Sequence, residues 1–230
     1  PINLIKYSDM QCVIDNMRDN GLSYASAKKV RTLLSLLSKY AIVNDIDIKD
    51  YTSFLNLGHD VSVYPHKPFT RQQINRLWCL DTSDTYGILI LLYTGMRCGE
   101  LLSLRKTDIN LRTRCLIIRQ SKTEAGRNRL IPIHSRILPI VTTLYHNSLD
   151  SIVPISYARF SKQFKSVMTS IKCSHSTHDC RHTLATLLDK YGASPTATRV
   201  ILGHKHGDIT TKVYTHKELR ELRKAIELLP

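Results

Sequence analysis

The chain has 230 residues, 42% of them hydrophobic and 23% charged, with a formal net charge of +14 at pH 7. That balance belongs to a folded globular protein rather than a disordered one, and no apolar run approaches the roughly 20 residues of a membrane span. Pro1 to Met10 lacks the basic start, apolar stretch and small-residue cleavage site of a signal peptide, so no membrane partner is expected.

The chain does not open with Met and is expected to be a fragment of a longer one, truncated at its N-terminus. Residues 1–64 hold as many acids as bases, so the whole positive excess comes from residues 65–230. A surplus concentrated in one part of a chain points to a polyanionic partner, nucleic acid first, with a merely solvated basic surface as the competing reading. Cys12, Cys79, Cys98, Cys115, Cys173 and Cys180 include no C-x-x-C pair, which favours free thiols in a reducing cytosol.

In chain order, "GLSYASAKKVRTLLSLLSKYA" predicts a helix from Ser23 to Ala41. Val30, Leu33, Leu34, Leu37 and Ala41 recur at the spacing of one buried stripe. Lys28, Arg31, Ser35 and Lys39 recur on the opposite face, with no acid between Asp19 and Asp45. That face suits DNA phosphates and is equally the ordinary solvent face of a helix. Gly58 to Pro68 then interrupts the pattern, dividing the chain into residues 1–60, a linker at 61–68 and a second domain at 69–230.

The second domain opens with "TRQQINRLWCL", where Thr70 caps a helix holding Ile74, Leu77 and Trp78. "TYGILILLYTG" reads as an apolar helix ending at Gly95, and "CGELLSL" continues helically. The period then switches, predicting strands at Leu116–Arg119 and Arg129–Ile133 around a Lys/Gly turn, with Pro132 tolerable only on an edge. Helices return at Arg159–Ser170, at His178–Lys190 and in the amphipathic "HKELRELRKAIELL". The expected fold is mainly α with a small antiparallel β-sheet, of the α+β class.

The chemistry-bearing residues fall in three clusters. Arg97 follows the Gly95 break at a helix start, with Glu100 three residues on to orient its guanidinium. In "STHDCRHTLATLL", Ser176 and Asp179 form a capping signature, which puts His178 and Arg181 on one face of the first turn. A guanidinium beside an imidazole suits a phosphate at which protons move. "LGHKHGDITTKVYTH" adds His204 and Tyr214, and Lys122 sits at the hairpin tip as a cation for a leaving oxygen. A phenol with a pKa near 10 becomes a useful nucleophile only when donors and cations stabilise the charge around it.

These segments resemble the tyrosine recombinases, the phage-integrase family that includes conjugative-transposon integrases. "TGMRCGELLSL", "SKTEAGRNRLIPI", "HDCRHTLATLL" and "LGHKHGDITTKVYTH" are colinear and in family order, and Met17 to Ile46 resembles more weakly the helical core-binding domain that precedes the catalytic domain. The resemblance implies that Arg97 and Arg181 clamp the scissile phosphate and that Lys122 is the general acid for the 5′-oxygen. It further implies that His178 handles the proton at the nucleophile, His204 donates a hydrogen bond to the phosphate, and Tyr214 attacks. Lys106, Arg127 and Arg129 lie nearby and compete with Lys122 for its role.

The implied activity is site-specific recombination of double-stranded DNA. It proceeds through a 3′-phosphotyrosyl link and a Holliday junction, without metal or other cofactor, and integrates or excises a mobile element. The implied assembly is a homotetramer on paired recombination sites, with a possible DNA-bending or directionality protein, in the bacterial cytosol at the nucleoid. The last helix, with Leu219, Leu222, Ile226 and Leu229 in a stripe, resembles one that packs onto a neighbouring protomer. Three rivals stand against this. A zinc protein would use His178 and His182 but lacks a paired cysteine knuckle. A non-catalytic DNA-binding module explains the charge but not the ordered cluster. A type IB topoisomerase shares the chemistry but does not pair sites.

Overall fold

The structure is a computed structural model and describes residues 1–59, 67–80, 82–121, 126–204 and 216–230. The chain divides into two compact units, Pro1–Pro65 and His66–Pro230.

The first unit contains α1 (Tyr7–Asp19) and α2 (Tyr24–Val43). Ser23 caps α2 by accepting the Ser26 N–H at 3.2 Å. Met10, Ile14, Ala27, Leu55 and Leu57 form its core. The buried face of α2 differs from the expected stripe. Ala27, Ser38 and Ala41 are buried, with Val30 and Leu34 partly so, whereas Leu33 and Leu37 are 54% and 48% exposed. The helix carries two apolar arcs, and Met10 and Ile14 of α1 share a core with the arc of Ala27, Val30 and Leu34. The basic face is also less uniform than expected. Asp50 lies near Lys39 and Ser35, and its carboxyl is lowered first by a hydrogen bond from Thr52, against burial, and further by the Lys39 charge.

The second unit is built around α4 (Ser83–Thr94), in which every residue from Gly87 to Thr94 is buried. Helix α4 packs against α3 (Arg71–Leu80), α7 (Tyr157–Ser170) and α8 (Thr177–Lys190). Thr70 and Gln73 cap α3 reciprocally, as the sequence implies. Helix α7 begins two residues earlier than expected because Ser156 caps it, accepting the Arg159 N–H at 3.3 Å. Next to α4 come the short α5 (Cys98–Leu102) and a three-stranded antiparallel sheet of β1 (Ile109–Asn110), β2 (Cys115–Ile118) and β3 (Arg129–Pro132), in that order. Among the described residues strand β3 pairs only with β2, so Pro132 sits on an edge opposite Cys115.

Two further helices, α6 (Leu138–Asn147) and α9 (Pro195–Leu202), have no counterpart in the sequence reading; each carries a proline in its first turn. The last helix, α10 (His216–Ile226), contacts α9 and β3 of its own chain. Leu222, Ile226 and Leu229 are thereby buried within the chain and Leu219 partly so. The tail is bonded down as well. Tyr93 Oη donates to the Pro230 carbonyl at 2.8 Å, Arg136 to the same oxygen at 3.0 Å, and Ser135 Oγ to Glu227 at 2.7 Å. Among the described residues no helix is long and apolar enough to cross a membrane.

Candidate active site

The second unit brings the predicted motifs together through helix ends. Helix α4 stops at Gly95, whose φ of 63° is left-handed, and a Cβ there would lie 2.6 Å from the Leu184 side chain. The chain therefore turns sharply, and Arg97 becomes the N-cap of α5. Glu100 closes a capping box by accepting the Arg97 N–H at 2.9 Å, and it also accepts from Arg97 Nη1 at 3.0 Å. The Arg97 side chain stays partly open to solvent at 27%, while Glu100 is buried.

Ser176 and Asp179 cap α8 as expected, the Ser176 N–H donating to Asp179 at 2.7 Å. His178 and Arg181 follow on its first turns but part company. His178 is exposed, with its ring edge-on to His182 at 4.9 Å between centroids. Arg181 is buried and donates to the Gly95 carbonyl at 2.8 Å and to the Leu202 carbonyl. Both carbonyls lie at helix C-termini, where the peptide dipoles place negative partial charge. His204 follows the left-handed Gly203 that ends α9.

These groups feel one another. Burial, then the Arg97 and Arg129 charges, lower Arg181 to about 10, with Glu100 opposing, so it stays protonated at neutral pH. His204 is lowered by burial and then by Arg181, Arg97, Arg129 and His182, which keeps its imidazole neutral. Burial works to raise the Glu100 carboxyl, but hydrogen bonds and charge from Arg129, then Ser121 and the Arg97 backbone, hold it at about 2. One carboxylate thus sits among three arginines. Such a surplus of fixed donors attracts a phosphate.

Lys122 and Tyr214 lie outside the described residues. The competitors of Lys122 are sorted by the geometry. Lys106 donates to the Ser148 carbonyl at 3.2 Å and lies over the Tyr145 ring, and Arg129 is 1% exposed with its guanidinium committed internally. Arg127 is exposed. In the first unit, Lys28 and Lys39 are exposed and Arg31 is partly buried. The sequence reading missed the buried pairing of Arg129 with Glu100, bonded at 2.6 Å. Strand alternation signalled the burial of Arg129, which shares a face with the fully buried Ile131, but not its partner. No group of three or more His, Cys, Asp or Glu among the described residues is arranged to hold a metal ion.

The sequence profile of the phage integrase family matches residues 69–221, well over half of the chain. The chain belongs to the phage integrase family. Among its curated relatives is the tyrosine recombinase XerA of Saccharolobus solfataricus, 32% identical over 63% of this chain and 50% of XerA. The tyrosine recombinase XerD of Staphylococcus saprophyticus is 27% identical over 97% of this chain and 82% of XerD. This chain therefore spans half the length of the first relative and most of the second. The fold matches that of the Tn1549 transposon integrase in complex with a circular intermediate DNA, with a TM-score of 0.76 at 22% identity, over 90% of this chain and 79% of that one.

Proposed function

We propose that this integrase-family chain is a tyrosine site-specific recombinase, cleaving and rejoining double-stranded DNA through a 3′-phosphotyrosyl intermediate. The observation that carries the proposal is the convergence of Arg97, Arg181 and His204 on one electrostatically coupled site around the buried Glu100 carboxylate. Arg97 and Arg181 would hold the non-bridging oxygens of the phosphate, and neutral His204 would donate an N–H to it. Tyr214 would attack phosphorus as His178 takes its proton, the P–O5′ bond would break, and Lys122 would protonate the departing 5′-oxygen. Negative charge developing on the phosphoryl oxygens meets donors already in place, which is the main source of rate in such sites.

In the finer reading, Lys28, Arg31 and Lys39 of the first unit, residues 1–60, contact the DNA backbone, and the catalytic unit begins at residue 69. Two rounds of exchange in a homotetramer on paired sites pass through a Holliday junction and integrate or excise a mobile element, with an accessory DNA-bending or directionality protein a possible partner. The fold shared with an integrase that holds a transposon's circular intermediate supports this reading. The location that follows is the bacterial cytosol, at the nucleoid.

The test is to incubate the protein at low salt in EDTA with nicked duplexes covering the flanks of its own gene. The expected result is an SDS-resistant adduct that maps to Tyr214 by mass spectrometry and disappears in Tyr214→Phe, while DNA binding persists. DNA binding with no adduct from the full-length protein would instead support a non-catalytic binding module. Relaxation of supercoils without site pairing would point to a topoisomerase.

A further inference from the structure

Arg129 has no role in the chemistry proposed above, yet it is one of the most deeply buried side chains in the protein, at 1% exposure. A guanidinium keeps its charge in the interior only where its donors are matched, and here four of them are. Nη2 and Nη1 donate to the two Glu100 oxygens at 2.6 and 3.2 Å, Nη1 also to the Gly126 carbonyl at 2.7 Å, and Nε to the Ile201 carbonyl at 3.1 Å.

Each acceptor lies next to a segment that bears a candidate site residue. Glu100 holds Arg97 by its backbone N–H and its guanidinium, and it accepts from Ser121 Oγ at 2.7 Å. Ser121 and Gly126 flank in sequence the four residues that include Lys122. Ile201 precedes Leu202, whose carbonyl takes the Arg181 guanidinium, and lies three residues before His204. The packing is as tight as the bonding. A Cβ on Gly203 would lie 3.0 Å from Arg129 Cδ and 3.0 Å from Gly126 Cα, so the turn leading to His204 rests directly on this side chain.

We propose that Arg129 is a positioning residue for the recombination reaction, setting Arg97, the two ends of the hairpin loop and the Gly203–His204 turn in one register around the phosphate. This inference rests on the recombinase reading. A buried pair that served only to stabilise the fold would not need acceptors from three separate motifs. Fixing catalytic groups through a shared supporting residue is how small displacements at the reacting atoms are prevented.

The experiment compares the wild type with Arg129→Met and with the double variant Glu100→Gln/Arg129→Met, on the nicked duplex with which the wild type forms its adduct. The double variant removes both charges of the Arg129–Glu100 pair together, so neither is left buried without the other, and Arg181 keeps its two carbonyl acceptors. The readouts are the rate at saturating DNA, the DNA affinity, the melting temperature and the pH profile. Both variants are expected to slow adduct formation at saturating DNA by about a hundredfold, the cost of a displacement near 1 Å, with DNA affinity little changed.

The pH profile separates positioning from bulk stability. Glu100 faces Arg97 from α5, Ser121 from beyond β2, Arg129 from β3 and the Arg181 charge from α8. Removing Arg129 lets its carboxyl rise from about 2. Arg129→Met therefore gains a Glu100-dependent acid limb in its rate, beyond any acid dependence that the wild type and the double variant share. A folded double variant that reacts at the wild-type rate overturns the proposal, as does a loss confined to DNA affinity. If Arg129→Met does not fold, the double variant decides alone. A wild type that forms no adduct removes the recombinase reading itself, a result distinct from either.

Discussion

The Arg181 guanidinium donates to the carbonyl of Gly95 at 2.8 Å, joining residues 86 positions apart in sequence. Its second acceptor is the Leu202 carbonyl, so one cation is seated on the C-terminal ends of both α4 and α9. A planar fork reaches two such carbonyls; an ammonium presents a single nitrogen. Arg181→Lys is expected to reduce phosphotyrosyl adduct formation by about two to three decades, the loss typical of one charge-stabilising donor. Single-turnover kinetics on a nicked duplex check this, with DNA affinity expected to move only a few-fold.

The Gly95 turn has no room for a side chain. Its φ is 63°, and a Cβ would approach Leu184 to 2.6 Å and Leu202 to 2.9 Å, both core residues. Gly95→Ala should destabilise the second unit by about 1 kcal/mol through the left-handed backbone and by about 1–3 kcal/mol more through overpacking. Urea denaturation measures the sum.

Acid should weaken the protein well before its carboxylates titrate. His134, His175 and His204 are all lowered from 6.5, chiefly by burial. Between 6.5 and those lower values the unfolded chain binds protons that the folded one does not, so the stabilisation is full above about 6.5 and is lost as pH falls. Thermal melts from pH 8 to pH 5 should show a declining midpoint. His175→Gln, which removes a ring stacked 3.8 Å from Phe69, should flatten the slope even where it lowers the midpoint.

Ser38 is a polar residue on the buried face of α2, and its hydroxyl has no hydrogen-bond partner among the described residues. Replacing it with alanine removes an unsatisfied group and improves helix propensity. Ser38→Ala should stabilise the first unit by about 1 kcal/mol, read as slower amide exchange along α1 and α2.

Much of this architecture was legible in the sequence, and what was not has identifiable causes. Helices α3, α4, α7 and α8 announce themselves through caps and continuous apolar faces, and the edge position of β3 follows from Pro132. Helix α1 buries only Met10 and Ile14, too few to make a stripe, and α9 is a short run that opens on a proline. In α2, Leu33 and Leu34 and again Leu36 and Leu37 are adjacent, so two arcs look equally buried until a partner helix chooses one. The placement of Arg97, His178 and Arg181 at helix starts was readable from spacing. The Arg129–Glu100 pair was not, because the two residues are joined across 29 positions by a fold that the motifs alone do not draw.

Arg97, Arg129 and Arg181 surround one carboxylate, and their mutual repulsion helps lower Arg181 to about 10. That repulsion is thermodynamically linked to whatever anion enters between them. A phosphate that favours the charged form of Arg181 is itself favoured by that charge, to the same extent and by the same free energy. Occupancy and foldedness are therefore linked equilibria in this unit. Under the proposed function, phosphate-bearing DNA would be a ligand of the native state, and the melting temperature would gauge whether the site is engaged.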